Sequence, residues 1–149
     1  MEKKQATIFV YGTLMEGMGN DRIIWDFPRK HERVQVEGYD MYNVGGFPAL
    51  VHGTGKYFGE LITFGETVDR SDLYHRMDRL EGYDQSHPNQ SLYIREPITV
   101  YKEDGESIET EVYIWNRGVS DLTYIDPKVY SDYRQFHQNF RRQYGNYFG

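Results

Sequence analysis

The chain has 149 residues, 17 of them basic and 23 acidic, which gives a formal net charge of −6 at pH 7. No excess of Lys and Arg is available to neutralise phosphates, so this composition argues against nucleic-acid binding. The lack of Cys excludes disulfides, zinc–thiolate sites and cysteine nucleophiles.

The N-terminal segment, residues 1–5, leads directly into an apolar run that predicts a buried strand over residues 6–11. The segment lacks the apolar stretch of a signal peptide, and no part of the chain is long and apolar enough to predict a transmembrane helix. We therefore expect a cytoplasmic protein with no membrane partner.

The first predicted strand ends at Gly12, and the sequence around that point, YGTLMEGMGN over residues 11–20, is rich in Gly. A buried strand that ends in a glycine turn can present several backbone N–H groups to one ligand. This segment is therefore a candidate binding loop.

The next part of the chain alternates between turns and extended stretches. Residues 23–27 predict a short helical turn that stops at Pro28. Gly45 and Gly46 predict a turn before a short extended piece. The alternating sequence GKYFGELITF, over residues 55–64, predicts a further strand.

The clearest helical signal covers residues 71–81. Ser71 or Asp69 can cap the N-terminus of this helix, and Gly82 stands where a left-handed C-cap belongs. The apolar residues recur at the spacing of one helix face, and they are Leu73, Met77 and Leu80.

After this helix, two strand-like stretches over residues 92–101 and 108–116 flank Gly105, which predicts a β-hairpin. A C-terminal helix is predicted at about residues 127–144, with Asp126 as its N-cap. The helix carries an aromatic stripe, a pattern more typical of core packing than of a ligand site.

The order of these elements predicts the fold class. Strands come in clusters and helices come between them, without the regular alternation of a doubly wound sheet. We therefore predict one α+β domain with a mixed or closed sheet, covering residues 1–149.

The position of Glu81 in the sequence is better suited to a chemical role than to a structural one. It stands in the last turn of the predicted helix, where the negative end of the helix dipole destabilises a carboxylate and tends to raise its pKa. Burial beside Leu80 and Tyr83 would raise the pKa further. Such a carboxyl group can accept and return a proton near neutral pH, as a general acid/base must. The alternative is that Glu81 points into water and has no role.

Asp78 lies three residues before Glu81, on the same face of the predicted helix. Two interpretations of Asp78 are open. As a like-charge neighbour it would raise the pKa of Glu81, whereas as a surface group it would pair with Arg79 or Arg76.

Motifs for other chemistries do not occur in the sequence. The five His residues show no metal-binding spacing, and residues 53–58, GTGKYF, lack the spacing of a phosphate loop. No Ser stands in a GxSxG context. We therefore expect neither a metal nor a cofactor.

Six stretches of the sequence together resemble the γ-glutamylcyclotransferase-like superfamily, in particular its γ-glutamylamine cyclotransferase-type branch. They are YGTL at 11–14, GFPALV at 46–51, FGELITF at 58–64, MDRLEGYD at 77–84, YIR at 93–95 and VYIW at 112–115. YGTL by itself is a weak signal, but YGTL followed by a helix ending in LEGY and then by YxR is fairly specific. The resemblance covers about residues 7–116.

This resemblance implies a small mixed β-barrel with flanking helices. It implies that the glutamate of the LEGY-like motif, here Glu81, is the catalytic acid/base. It also implies that the YGTL loop binds the substrate through backbone N–H groups, while Tyr93 and Tyr113 either orient the substrate or pack as ordinary strand residues. The implied substrate-binding residues are Tyr11, Gly12, Thr13, Leu14, Tyr93 and Tyr113.

The implied reaction needs no cofactor. The α-amine of a γ-glutamyl amine or γ-glutamyl amino compound attacks its own γ-carbonyl, closes the ring of 5-oxoproline and releases the γ-linked amine. Glu81 would take a proton from the α-ammonium and deliver one to the leaving amine.

Two other functions remain open at this point. The chain could be a non-catalytic small-molecule-binding module of the same fold, or its aromatic C-terminal helix could bind another protein. The family pattern fades after Asn116, so residues 117–149 leave the identity of the leaving amine open. Both a monomer and a homodimer are compatible with the sequence.

Overall fold

The computed structural model describes residues 5–12, 14–15, 18 and 21–144. The strands in this part of the chain are β1 (Thr7–Val10), β2 (Arg29–Val44), β3 (Phe47–Phe64), β4 (Tyr93–Tyr101), β5 (Ser107–Trp115) and β6 (Thr123–Ile125). The α-helices are α1 (Arg70–Glu81) and α2 (Tyr133–Tyr144), and two short 3₁₀ helices cover Asp21–Ile24 and Pro88–Gln90.

The strands form one sheet in the order β1-β3-β2-β4-β5, with β6 paired to β2. All of these ladders are antiparallel. β2 and β3 form a long hairpin around Gly45 and Gly46, whose φ values of 56° and 115° are those that favour glycine. The predicted β4–β5 hairpin is confirmed, and Gly105, with φ of 88°, lies in its turn.

The sheet curls until its first and last strands meet. The Thr7 and Thr110 hydroxyls are 2.7 Å apart, and the Tyr11 hydroxyl donates to the Tyr113 carbonyl at 2.6 Å. Side chains rather than a backbone ladder thus join β1 to β5. The α+β fold class is confirmed, while "barrel" describes the curvature of a sheet that stays open along this seam.

The core lies between the curled sheet and α1. Leu61, Ile62 and Phe64 of β3 are all buried, so this end of the strand is covered on both faces. The predicted apolar face of α1 packs inward through Leu73 and Met77. Burial of such large apolar side chains stabilises the fold by about 1.5–3 kcal/mol each.

The helix predicted over residues 71–81 is confirmed, with its caps. The Asp69 carboxylate accepts hydrogen bonds from the Ser71 and Asp72 amides at 2.9 and 3.2 Å, so Asp69 is the N-cap. Gly82 closes the helix in the left-handed conformation, with φ of 66°.

The C-terminal helix begins later than the predicted residue 127. Asp126 closes only a turn, in which its backbone carbonyl accepts from the Tyr130 amide at 2.8 Å. The chain then extends, because the Phe58 amide of β3 donates to the Ser131 carbonyl at 2.7 Å. Asp132 is the effective cap, since its carboxylate accepts from the Arg134 amide at 2.9 Å.

β6 was not predicted from the sequence. Its three residues pair with the end of β2, where Thr123 lies opposite Asn43. The Tyr57 hydroxyl holds this strand by donating to the Ile125 carbonyl at 2.6 Å. Neither α-helix of the described chain has the length and apolar character needed to cross a membrane.

Candidate active site

Pro48, near the start of β3, contacts both the loop that follows β1 and the first residue of β4. The candidate site is built on these two segments. A Cβ atom added to Gly12 would lie 2.6 Å from Cγ of Pro48, so the loop after β1 packs directly on the Pro48 ring. The Pro48 carbonyl accepts a hydrogen bond from the Tyr93 hydroxyl at 2.8 Å. Pro48 thus joins the loop after β1 to the first residue of β4.

Tyr11 ties the same loop to β5. Its buried hydroxyl donates to the Tyr113 carbonyl and accepts from the Leu50 amide at 3.4 Å. Burial raises its pKa well above the ordinary value, and the nearby hydroxyl of Tyr93 and carboxylate of Glu81 raise it further. Tyr11 therefore stays protonated at neutral pH.

The end of α1 is pinned to the start of β4. The Gly82 carbonyl accepts a hydrogen bond from the Leu92 amide at 3.0 Å. This contact brings Glu81, the last residue of α1, close to Tyr93, the first residue of β4. The proximity is visible in the electrostatics, because the Glu81 charge raises the pKa of Tyr93 in addition to the larger effect of burial.

The Glu81 carboxylate has no hydrogen-bond or ion-pair partner among the residues that the structure describes. The residue keeps some exposed surface, but protein atoms crowd its carboxyl group closely enough that burial raises the pKa to about 7. Every enclosed side-chain polar atom in the described chain has a partner. The unpartnered oxygens of Glu81 must therefore keep some accessible surface.

Tyr11 and Tyr93 present acceptors next to this carboxylate. Each hydroxyl donates its proton to a backbone carbonyl, so only oxygen lone pairs remain for another group. Among the described residues, no group donates a hydrogen bond to the Tyr93 hydroxyl, whereas the Tyr11 hydroxyl already accepts from the Leu50 amide. A carboxylate and a tyrosine oxygen with free lone pairs suit a ligand that donates hydrogen bonds, such as an amine or ammonium group.

Asp78 is not the like-charge partner of Glu81, and it does not pair with Arg79 or Arg76. Its carboxylate binds Nη1 of Arg95 at 2.6 Å and accepts from the Tyr113 hydroxyl at 2.6 Å. Arg76 instead binds Asp26 and Asp72. Both interpretations of Asp78 from the sequence are wrong, because its partners lie on β4 and β5, far from Asp78 in the sequence.

The structure brings together Tyr11, Gly12, Tyr93 and Glu81 of the predicted site residues. Thr13 lies outside the described residues. Leu14 turns its side chain into the core, so its contribution to a ligand would be its backbone. Among the described residues, the amides of Gly12 and Leu14 have no hydrogen-bond partner, whereas the Met15 amide closes a turn on the Gly12 carbonyl at 3.0 Å.

Tyr113 lies behind the site. Its hydroxyl is held by Asp78, and its backbone carbonyl holds Tyr11. Sequence reasoning missed a further pair beside the site, in which the Tyr133 hydroxyl donates to Oδ1 of Asn43 at 3.0 Å. The described chain contains no cluster of His, Asp and Glu suited to hold a metal ion.

The chain matches one protein-family model, described as "Gamma-glutamyl cyclotransferase, AIG2-like", over residues 8–135. A search of curated protein sequences finds no match. The family match spans every element of the candidate site, including the loop after β1 and the first residues of α2.

Several solved structures are similar to this one. An AIG2-like protein from Mus musculus is 22% identical, with a TM-score of 0.62 over 87% of this chain and 95% of that one. An uncharacterized protein from Pyrococcus horikoshii is 20% identical, with a TM-score of 0.57 over 97% and 99% of the two chains. A gamma-glutamyl cyclotransferase is 14% identical, with a TM-score of 0.55 over 81% and 70%. At these identities the likeness shows a shared fold.

Proposed function

The chain belongs to the AIG2-like gamma-glutamyl cyclotransferase family, and from this membership we propose that it converts a γ-glutamyl amine or γ-glutamyl amino compound to 5-oxoproline and a free amine. Glu81 is the general acid/base of this reaction. The observation that carries the proposal is the Glu81 carboxyl group, whose pKa is raised to about 7 by burial and which has no partner among the described residues. A general acid/base works best when its pKa lies near the working pH.

The reaction begins with the substrate α-ammonium next to Glu81 and Tyr93. The ionised Glu81 takes one proton from this ammonium, and the freed amine attacks the substrate's own γ-carbonyl carbon. Tyr93 accepts a second hydrogen bond from the nitrogen and keeps its lone pair aimed at the carbonyl. Intramolecular attack of this kind is fast once the reacting atoms are held close together.

Collapse of the tetrahedral intermediate completes the reaction. The bond between the γ-carbon and the leaving nitrogen breaks as Glu81 gives its proton to that nitrogen. The ring nitrogen still carries two protons, so Glu81 then takes one of them and passes it to the released amine. The lactam keeps one N–H, the amine leaves as an ammonium, and Glu81 is ionised again. The amides of Gly12 and Leu14, which have no other partner in the described chain, are suited to stabilise the negative oxygen of the intermediate. Thr13 belongs to the same proposed binding loop.

The test is release of 5-oxoproline from a panel of γ-glutamyl amines and γ-glutamyl amino acids. We expect wild type to release it and Glu81→Gln to lower kcat by about 10²–10⁴-fold, the usual contribution of a general acid/base. The matched control is Glu66→Gln, the same chemical change at an exposed position, which should leave kcat unchanged.

Full turnover by a folded Glu81→Gln variant would contradict the assigned role of Glu81. A wild type that binds γ-glutamyl ligands without releasing 5-oxoproline would instead favour a non-catalytic binding module. Calorimetric titration with the same panel separates these outcomes, because it measures binding without turnover.

A further inference from the structure

Asn43 lies beside the candidate site by the register of the β2–β3 hairpin. It is directly opposite Pro48, and opposite residues of an antiparallel pair share one face of the sheet, with Cα atoms about 4.5–5.5 Å apart. The Pro48 ring on that face contacts Gly12. Asn43 therefore sits next to the loop after β1, at the point where the two site segments meet.

Tyr133, the first residue of α2, fixes the Asn43 side chain. Its hydroxyl donates to Oδ1 of Asn43 at 3.0 Å, and the two residues are 0% and 9% exposed. Tyr133 is itself held by stacking on Phe136, with ring centroids 5.8 Å apart. The carboxamide of Asn43 is thus presented in one orientation.

This orientation leaves Nδ2 of Asn43, with two N–H donors, without a partner among the described residues. Because every enclosed side-chain polar atom of the described chain is hydrogen-bonded, Nδ2 must open into accessible space. A nine-tenths buried amide with free donors is costly unless something accepts its hydrogen bonds.

Tyr133 also lies near the acceptor side of the site. Its hydroxyl raises the pKa of Tyr93, after the larger effects of burial and of the Glu81 charge. A single small ligand on the loop after β1 would therefore have near it both acceptors of the protein, Glu81 and Tyr93, and the donors of Asn43.

We propose that Asn43 is a substrate-binding residue that donates a hydrogen bond from Nδ2 to a carboxylate oxygen of the substrate, and that Tyr133 is its positioning residue. This assignment rests on the proposed function. The carboxylate is either that of the γ-glutamyl group itself or that of a leaving amino acid. The C-terminal segment, where the sequence resemblance fades, thereby acts on substrate recognition.

The experiment measures Kd by calorimetry in a Glu81→Gln background, so that binding is observed without turnover. The probes are γ-glutamylethylamide, which carries one carboxylate, and γ-glutamylglycine, which carries a second on its leaving group. Asn43→Asp keeps an acceptor for Tyr133 but replaces the donors with a negatively charged oxygen. We expect it to weaken binding by about 10- to 100-fold, as for a lost charge-assisted hydrogen bond.

Tyr133→Phe tests the positioning role. In the otherwise wild-type enzyme it should raise KM by about 3- to 10-fold and leave kcat unchanged, because the hydrogen-bond donor is loosened while Glu81 is untouched. The matched control is Tyr130→Phe, which removes a hydroxyl from the same segment, where it contacts only Asn139 among the described residues. This control should not change KM. Should Asn43→Asp fail to fold, the Tyr133→Phe pair still decides the proposal.

Equal weakening for both probes assigns the hydrogen bond to the γ-glutamyl carboxylate, and weakening for γ-glutamylglycine alone assigns it to the leaving group. Unchanged Kd for both probes in folded Asn43→Asp overturns the role of Asn43 and leaves the proposed function intact. If neither probe binds and wild type releases no 5-oxoproline, the proposed function fails, and the Asn43 assignment fails with it.

Discussion

Asp78 and Glu81 lie three residues apart near the end of α1, yet the protein surrounds their two carboxylates in opposite ways. Asp78 belongs to an anchor region, in which it binds Arg95 and Tyr113 at 2.6 Å each. Glu81 belongs to the site region and has no partner among the described residues. The anchor gives its carboxylate two hydrogen-bond partners, whereas burial at the site raises the pKa of Glu81.

The difference teaches how one helix can carry both a structural anchor and a candidate catalytic carboxyl group. Arg95 holds Asp78 and also binds Glu111 at 3.1 Å, and its guanidinium lies over the Tyr74 ring at 4.3 Å. These contacts fix the end of α1 on the β4–β5 hairpin. The rigid anchor allows the neighbouring Glu81 to be held in an unfavourable environment without the helix turning it out into water.

Removal of the anchor carboxylate should have the largest effect on stability. Asp78→Ala leaves the buried Tyr113 hydroxyl without its acceptor and Arg95 with Glu111 alone. We expect it to cost about 2–4 kcal/mol, a little less than the loss of one partner from a fully buried pair. Glu81→Ala should cost less than about 1 kcal/mol, since no pair is broken. Urea unfolding of both variants measures the contrast, and equal losses would show that the two regions do not differ.

The pH dependence of stability should differ between wild type and Glu81→Gln. The pKa of Glu81 rises from 4.5 to about 7 on folding, so the native state binds the proton more tightly and stability falls as pH rises through that range. At about 1.4 kcal/mol per pKa unit, reduced for partial exposure, wild type should lose about 1–2 kcal/mol relative to Glu81→Gln between about pH 5 and about pH 8. Parallel urea titrations at the two pH values measure this difference. Parallel stability curves would mean that Glu81 is solvated.

Arg95→Lys tests the geometry of the anchor rather than its charge. Lys carries one ammonium and cannot bind Asp78 and Glu111 in the fork that Arg95 makes, nor stack on Tyr74 in the same way. We expect a loss of about 1–2 kcal/mol in unfolding free energy. Arg79→Lys, on an exposed position of the same helix, is the control. Full stability of Arg95→Lys would reduce the anchor to a simple charge pair.

The smallest expected effect on stability comes from the Tyr74 ring, over which the Arg95 guanidinium lies. Tyr74→Phe removes the hydrogen bond from its hydroxyl to the Thr7 carbonyl, while Tyr74→Leu removes the aromatic ring as well. The two variants should differ by about 0.5–1 kcal/mol, the usual worth of a cation–π contact. Thermal or urea unfolding of the pair resolves this, and identical stabilities would assign no energy to the stacking.

Features that depend on neighbouring residues in sequence could be predicted. Helix α1, its Asp69 and Gly82 caps and the β4–β5 hairpin are local patterns of spacing and turn residues. The start of α2 could not be predicted, because it is delayed by a backbone hydrogen bond from Phe58 to Ser131. β6 was missed for the same reason, since three residues carry no pattern and only pairing with β2 defines them.

Some features of the candidate site could likewise be predicted from the sequence, and others could not. Glu81 could be singled out from its place at the helix end and from the resemblance, and the direction of its pKa shift is confirmed. Its catalytic role stays a prediction. The partnership of Asp78 with Arg95 could not be foreseen, because Arg95 lies 17 positions later, beyond the loop that joins α1 to β4. Asn43 and Tyr133 are 90 positions apart, and only the packing of the start of α2 against the sheet brings them together.

The Tyr133–Asn43 hydrogen bond has a consequence for protein synthesis. Asn43 and Pro48 leave the ribosome long before Tyr133, so the Asn43 carboxamide is made well before the hydroxyl that fixes it. Pairings between such distant residues form late during folding. The nascent chain therefore contains the proposed binding loop and Glu81 before it can hold Asn43 in place, and the proposed recognition surface is complete only once α2 has been made.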